Sequence, residues 1–202
     1  MKLYSFSYSC ALSCHLALLW SKLPFELQQI THEDLASAEI RALNPAGKVP
    51  ILTDNDLVLS QSSAILNYIA ERAPEAGLSG TTPAERAQTN MWLGLLTSDL
   101  HPAYSTLFKV SRWLKDEQAA DLVKQQAKAS IRQLYEQIDA QLAGREWLTG
   151  TRSIADAYLF VTLLWAGLLK IDLSGLENLT AFSARLHVTP EAQQVLRAAG
   201  IA

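Results

Sequence analysis

An α/β domain followed by an all-helical domain is the fold class this sequence predicts, on three observations. Strand-like and helix-like patterns alternate as β-α-β-α-β-β-α over residues 1–72. Residues 73–83 then hold Pro74, Gly77, Gly80 and Pro83 among small polar side chains, the composition of a linker. From 84 to 202 the apolar residues recur with the period of a helix.

Taken in order, Lys2 to Phe6 reads as a strand, because Leu3, Tyr4 and Phe6 are strand formers. Ser7-Tyr8-Ser9 is a polar loop. Cys10 to Trp20 is a helix with Leu12, Leu16, Leu19 and Trp20 at helical spacing, ended by Lys22-Leu23-Pro24. Phe25 to Ile30 alternates as a second strand, and a short helix spans about Ala36 to Leu43. Ile51-Leu52-Thr53 and Leu57-Val58-Leu59 flank Asp54-Asn55-Asp56, which predicts a tight hairpin. Capping hydroxyls in Ser60-Gln61-Ser62-Ser63 precede Ile65, Leu66 and Ile69, so a helix starts near Gln61. The second domain reads as helices over Ala84 to Phe108, Glu117 to Ala143, Ile154 to Leu169, Leu176 to His187 and Glu191 to Ala198. Thr189-Pro190-Glu191 supplies a cap, a first-turn proline and a helix-start acid. Pro102 removes one helical N–H bond and is expected to kink the first of these helices.

Chemistry concentrates in three places. A thiol at the start of the first helix, Cys10, faces unpaired N–H groups that favour thiolate; the alternative is a small buried core residue. The polar run before it favours an exposed, functional thiol. Pro50 follows Val49 at the mouth of a strand, as a trans proline or as a cis bond that offers the Val49 backbone to an extended peptide. Beyond the hairpin, a helix N-terminus near Gln61 suits a ligand carboxylate, so the order of elements implies a pocket for a small acidic peptide. In the second domain His101 stands beside the expected kink, as a site residue or as an ordinary polar one.

The run Asn44-Pro45-x-Gly47-x-Val49-Pro50, followed by Leu59-Ser60-Gln61-Ser62-x-Ala64-Ile65-x-x-Tyr68-Ile69, resembles the glutathione site of the glutathione transferases. The motif Ser9-Cys10-x-Leu12-Ser13-x-His15 is similar to that of the bacterial beta class. The resemblance implies a thioredoxin-like domain over 1–72 and a helical domain over 84–202 that supplies the second-substrate site. It also implies a cis Val49-Pro50 loop pairing with the cysteinyl backbone of glutathione, and Gln61 and Ser62 binding its γ-glutamyl end. Ser98 and His101 would face the thiol across the interdomain cleft. Cys10 would stabilise a thiolate or form a mixed disulfide, with Ser9 as a hydroxyl donor. Tyr104, Phe108, Trp113 and Trp165 would line an apolar pocket for a small electrophile; the bland reading of such spacing is core. Ser153-x-x-Asp156 resembles the family's folding cap. A homodimer is implied as well.

The chain departs from the pattern at several positions. Cys14 stands where proline is common, Gly94 replaces an asparagine, and Leu168 replaces a polar residue. Thr31-His32-Glu33-Asp34 lacks the usual lysine for the glycine end of glutathione, with Lys48 and His32 as candidate substitutes.

Composition narrows the class. Hydrophobic residues make up 49% and charged ones 18%, which excludes a disordered chain. Residues 1–80 carry 5 Lys+Arg against 8 Asp+Glu, and residues 81–202 carry 12 of each, so neither half has the basic excess of a nucleic-acid binder. No apolar run has the length of a membrane span, and Met1 to Phe6 lacks the layout of a signal peptide. Two cysteines make no disulfide framework, and metal ligation would need more ligands than Cys10, Cys14 and His15 supply. The expectation is a cytoplasmic transferase that needs no metal. Two rivals use the same residues: a Cys10-dependent thiol-disulfide oxidoreductase or deglutathionylase, and a non-catalytic binding protein of the same fold.

Overall fold

A computed structural model describes residues 1–201, and its first part carries one mixed sheet. Strands β1 (Lys2–Ser5), β2 (Glu26–Gln29), β3 (Ile51–Asp54) and β4 (Leu57–Ser60) lie in the order β2-β1-β3-β4. β1 runs parallel to β2 and antiparallel to β3, and β3 runs antiparallel to β4. Helices α1 (Ala11–Ser21), α2 (Ala38–Leu43) and α3 (Ser62–Arg72) complete the β-α-β-α-β-β-α order read from the sequence. Six more α-helices follow among the described residues: α4 (Pro83–Gly94), α5 (His101–Trp113), α6 (Glu117–Leu142), α7 (Ile154–Leu168), α8 (Glu177–His187) and α9 (Pro190–Ala198).

Strand alternation divides the sheet between two cores. Leu3 sits opposite Leu52 and joins the main core with α1 and α3; Tyr4 sits opposite Ile51 and packs with Ile40 of α2. The β3–β4 hairpin closes through Asn55 at φ +53°, a conformation asparagine tolerates better than most residues. Gly47 at φ +58° ends the turn after α2, where an added Cβ would come within 2.7 Å of the Leu35 carbonyl.

α1 and α7 are apolar on nearly every face, and such helices must be covered all round. They pack on each other; α1 also meets α3 and α9, and α7 also meets α4 and α8. One continuous core therefore runs from Leu3 through Leu16 and Leu159 to Phe182. Asp156 anchors the start of α7. Its carboxylate accepts from the Ser153 N–H (2.8 Å), the Ser153 hydroxyl (2.7 Å) and the Leu148 N–H (2.9 Å). Burial pushes its pKa up to about 6 while these donors pull it back.

The first helix of the second part differs from expectation. Instead of one kinked helix over Ala84 to Phe108, α4 passes through a π-helical turn, Leu95–Leu100, into α5, which runs on to Trp113. Pro102, second in α5, has no N–H to give, and the widened turn before it accommodates the loss. None of the helices described is long and apolar enough to cross a membrane.

His15 on α1 is 1% exposed, with Nδ1 unpartnered and its ring edge-on to Phe25. Burial lowers its pKa to about 4. The unfolded chain, with an ordinary histidine near 6.5, thus takes the proton first. The neutral ring's contribution is complete above about pH 6.5 and is lost as pH falls toward 4. Asp156 titrates in the opposite sense in the same window, so each pH needs its own comparison with the parent protein. Replacing His15→Leu should improve stability relative to the parent by up to ~3 kcal/mol between pH 7.5 and pH 4. Denaturant unfolding across that range checks it; a constant difference would refute the assignment.

Candidate active site

The loop from β1 to α1 is fixed at several points. The Ser9 hydroxyl donates to the Phe6 carbonyl (2.6 Å), the Ser7 hydroxyl donates to Ala199 (2.6 Å), and Trp165 Nε1 of α7 donates to Tyr8 (2.7 Å). Tyr8 itself adopts φ +55°. These contacts place Cys10 at the N-cap of α1. From the opposite side the Asn44–Gly47 turn, held by Asn44 Nδ2 donating to the Lys48 carbonyl (2.7 Å), delivers a cis Val49-Pro50 bond. The Cys10 thiol lies 3.9 Å from the Val49 carbonyl.

A cavity of about 150 Å³ opens between these two loops, the start of α3 and the second part of the chain. Cys10, Val49, Pro50, Gln61 and Ser62 line it, as do Lys48, Thr97, His101 and Tyr158. Gln61 caps α3 at φ +73°, ψ 121°, outside the regions ordinary residues occupy, and its side chain makes no cap bond. Strain of this kind gathers at ligand clamps. No acid occupies the first turn of α3, so its N–H groups face the cavity with nothing to neutralise them.

The hydroxyl-bearing side chains of Ser62 and Tyr158 share the cavity wall with the Cys10 thiol. Burial pushes the thiol above its ordinary pKa, and those hydroxyls oppose the rise. Burial here works against the helix start, which was expected to favour thiolate. Tyr158 OH sits 2.6 Å from His101 Nδ1. Burial raises the phenol's pKa and lowers that of the imidazole, the latter helped by Lys109, so both groups are neutral near pH 7. With Nδ1 protonated, His101 donates to the phenol oxygen, and the phenol proton is free to point at sulfur.

Of the residues singled out from sequence, Cys10, Val49, Pro50, Gln61, Ser62 and His101 meet in this cavity. Ser9 does not, because its hydroxyl is spent on Phe6. Ser98 is exposed, and Thr97 takes its place on the wall. The π turn explains the exchange: where bonds close over five residues, side chains four apart stack and those three apart diverge. Thr97 then shares a face with His101. None of the four aromatics lines the cavity. Tyr104 is fully buried, its hydroxyl 2.9 Å from that of Tyr135, which donates to Thr162. Trp165 is core, its ring centroid 4.8 Å from that of His101. Trp113 is 62% exposed at the end of α5. Phe108 is partly exposed, edge-on to Trp165. Lys48 reaches the wall, whereas His32 packs edge-on to Phe6. Cys14 is buried, with its pKa raised by burial. Among the described residues there is no group of three side chains fit to hold a metal ion. Tyr158 was missed from sequence; its one signal is a polar-headed ring inside the otherwise apolar run of α7.

Residues 3–77 match the family model of the glutathione S-transferase N-terminal domain, and residues 100–190 that of the C-terminal domain. The chain belongs to the glutathione S-transferase family. A transferase of Xanthomonas campestris, GST-4.5, is 43% identical across the full length of both chains. The solved glutathione S-transferase of Xylella fastidiosa superposes with a TM-score of 0.96 at 43% identity, covering 100% of this chain and 99% of that one. A beta-class enzyme of Sphingomonas chungbukensis follows at 0.86 and 31%, with both chains fully covered. These likenesses bear out the thioredoxin-like first part and the helical second part.

If Tyr158 donates to sulfur, removing its hydroxyl raises the Cys10 pKa further. Tyr158→Phe should slow iodoacetamide alkylation of Cys10 at pH 7.5 by about tenfold, the weight of one hydrogen bond to a charged group. Mass-spectrometric rates on the folded proteins check this, and an unchanged rate would contradict the contact.

Proposed function

We propose that this transferase binds glutathione in the Cys10 cavity and joins its thiolate to small apolar electrophiles. The convergence of Gln61, Ser62, the Val49 backbone and the Cys10–Tyr158–His101 cluster on one cavity carries the reading. The γ-glutamyl carboxylate would meet Ser62 and the free N–H groups of α3, with Gln61 beside it. The Val49 backbone would pair with the cysteinyl residue, and Lys48 would supply the charge for the glycine carboxylate. At about 150 Å³ the cavity takes only the reacting end of the tripeptide and leaves the rest on the open cleft.

In the chemical step the thiol proton leaves to solvent, and the thiolate attacks an electrophilic carbon. The new C–S bond forms as the leaving group departs with its electron pair. Tyr158, backed by His101, and Ser62 would hold the sulfur's charge; positioning accounts for the remainder. Phe108, the one partly exposed ring beside Trp165, is the nearest candidate to greet an apolar second substrate. We place Cys10 beside the bound sulfur as a contact and as the nucleophile of a side reaction. There its thiolate would attack a glutathione mixed disulfide and release the other thiol. A homodimer would cover the exposed Leu57 and Val58 of edge strand β4 and Met91 of α4. The cytoplasm, where glutathione keeps thiols reduced, suits both reactions.

Calorimetric titration should find saturable glutathione binding, weakened at least a hundredfold by Gln61→Ala with Ser62→Ala. In the same series Cys10→Ala should abolish reduction of glutathione mixed disulfides while sparing conjugation to a nitro-activated aryl chloride. A folded parent protein that binds no glutathione would overturn the proposal.

A further inference from the structure

The cleft continues beyond the Cys10 cavity. On α5 the residues four, seven and eleven places after His101, which are Ser105, Phe108 and Arg112, share its face of the helix. α7 runs beside this row. Its Tyr158 meets His101 at one end (2.6 Å), and Trp165, two turns on, meets Phe108 edge-on with ring centroids 6.1 Å apart. Exposed apolar side chains belong to the residues around Trp165. Phe108 packs on its ring, Tyr8 accepts from its Nε1 through the backbone carbonyl (2.7 Å), and Leu168 stands one turn further along α7. An apolar strip therefore leads from His101 toward the far end of α5.

The strip ends in positive charge. Lys109 and Arg112 are exposed, and neither makes an ion pair or a side-chain hydrogen bond among the described residues. Asp116, the acid nearest in sequence, is occupied as the cap of α6, where it accepts from the Ala119 N–H (3.1 Å). Burial first, and then the Lys109 charge, lower the pKa of His101, so the field of Lys109 reaches into the cleft. Arg112 lies eleven residues past His101, a rise of ~16 Å, and its long side chain leans back over the preceding turn by up to ~5 Å.

We propose that Arg112, with Lys109 beside it, makes this transferase select electrophiles that carry a carboxylate at the end of an apolar chain, roughly 11–16 Å from the carbon attacked. The chain lies along Phe108 and Leu168, and the guanidinium takes the carboxylate through its planar fork. A neutral apolar electrophile fills the same strip but leaves both cations unpaired. The inference rests on glutathione conjugation in the Cys10 cleft and adds the class of second substrate.

The probe is 12-oxo-10-dodecenoate, an enal acid with nine bonds, about 11 Å when extended, between its carboxyl carbon and the carbon attacked. The glutathione thiolate forms the C–S bond at the carbon β to the aldehyde. The π pair shifts toward the aldehyde, and the α-carbon takes a proton from solvent. Initial rates at saturating glutathione, followed by loss of the enal absorbance, give kcat/KM for this acid and for its methyl ester. The acid should be favoured by about fivefold, the weight of an ion pair open to solvent. Arg112→Gln with Lys109→Gln should bring that ratio to about one. The acid 6-oxo-4-hexenoate, too short to span the strip, should show no such advantage over its own ester. Equal rates for the long acid and its ester, a preference that survives the double substitution, or the same preference for the short acid would overturn the proposal while conjugation itself stands. Conjugation of neither enal would remove the activity it rests on, and the proposal with it.

Discussion

Burial of two helices that have no polar face sets the geometry of this molecule. α1 and α7 come from different parts of the chain, and each must be covered on every side. Packing them together joins the sheet and the helical bundle through one core. It also carries two reactive groups to a common place: Cys10 stands at the start of α1, and Tyr158 lies one turn into α7. The cleft is thus a consequence of the core. Trp165 Nε1, reaching from α7 to the Tyr8 carbonyl, ties the loop before Cys10 to the same helix.

The electrostatics of that cleft follow from its depth. Desolvation raises the Cys10 thiol and the Tyr158 phenol and lowers His101. Charge on sulfur is then favoured only where donors stand ready beforehand, and the hydroxyls of Ser62 and Tyr158 on the same wall oppose the rise of the Cys10 thiol. A neutral His101, 2.6 Å behind the Tyr158 hydroxyl, adds no competing charge. The arrangement suits a reaction that creates and consumes a thiolate.

Much of this was legible in the sequence, because the signals were local. Asn55 in a two-residue loop, the cap at Thr189 and the apolar spacing of α1 each fixed an element through backbone and solvation preferences that neighbours do not override. The order of loop, hairpin and helix start implied a pocket there, and the family resemblance assigned it to Val49, Pro50, Gln61 and Ser62. Misses came where long-range packing decided. Tyr104 and Trp165 were expected in a pocket from the family resemblance, whereas their helical spacing favoured core, where another helix covers such rings, as α6 and α7 do here. Ser98 lost its place to Thr97 because a π turn, whose register no side-chain pattern announced, rotated the wall. Tyr158 was hidden because the apolar run around it argued only for burial.

We propose that Tyr158 and its neighbours hold the charge on the bound sulfur. The most direct test is the ultraviolet thiolate absorbance of bound glutathione, titrated against pH in Cys10→Ala protein with and without Tyr158→Phe. Loss of the phenol is predicted to raise the bound thiol's midpoint by about one pH unit, the equivalent of ~1.4 kcal/mol. Coincident titrations would contradict the account and leave the hydroxyl a structural role only.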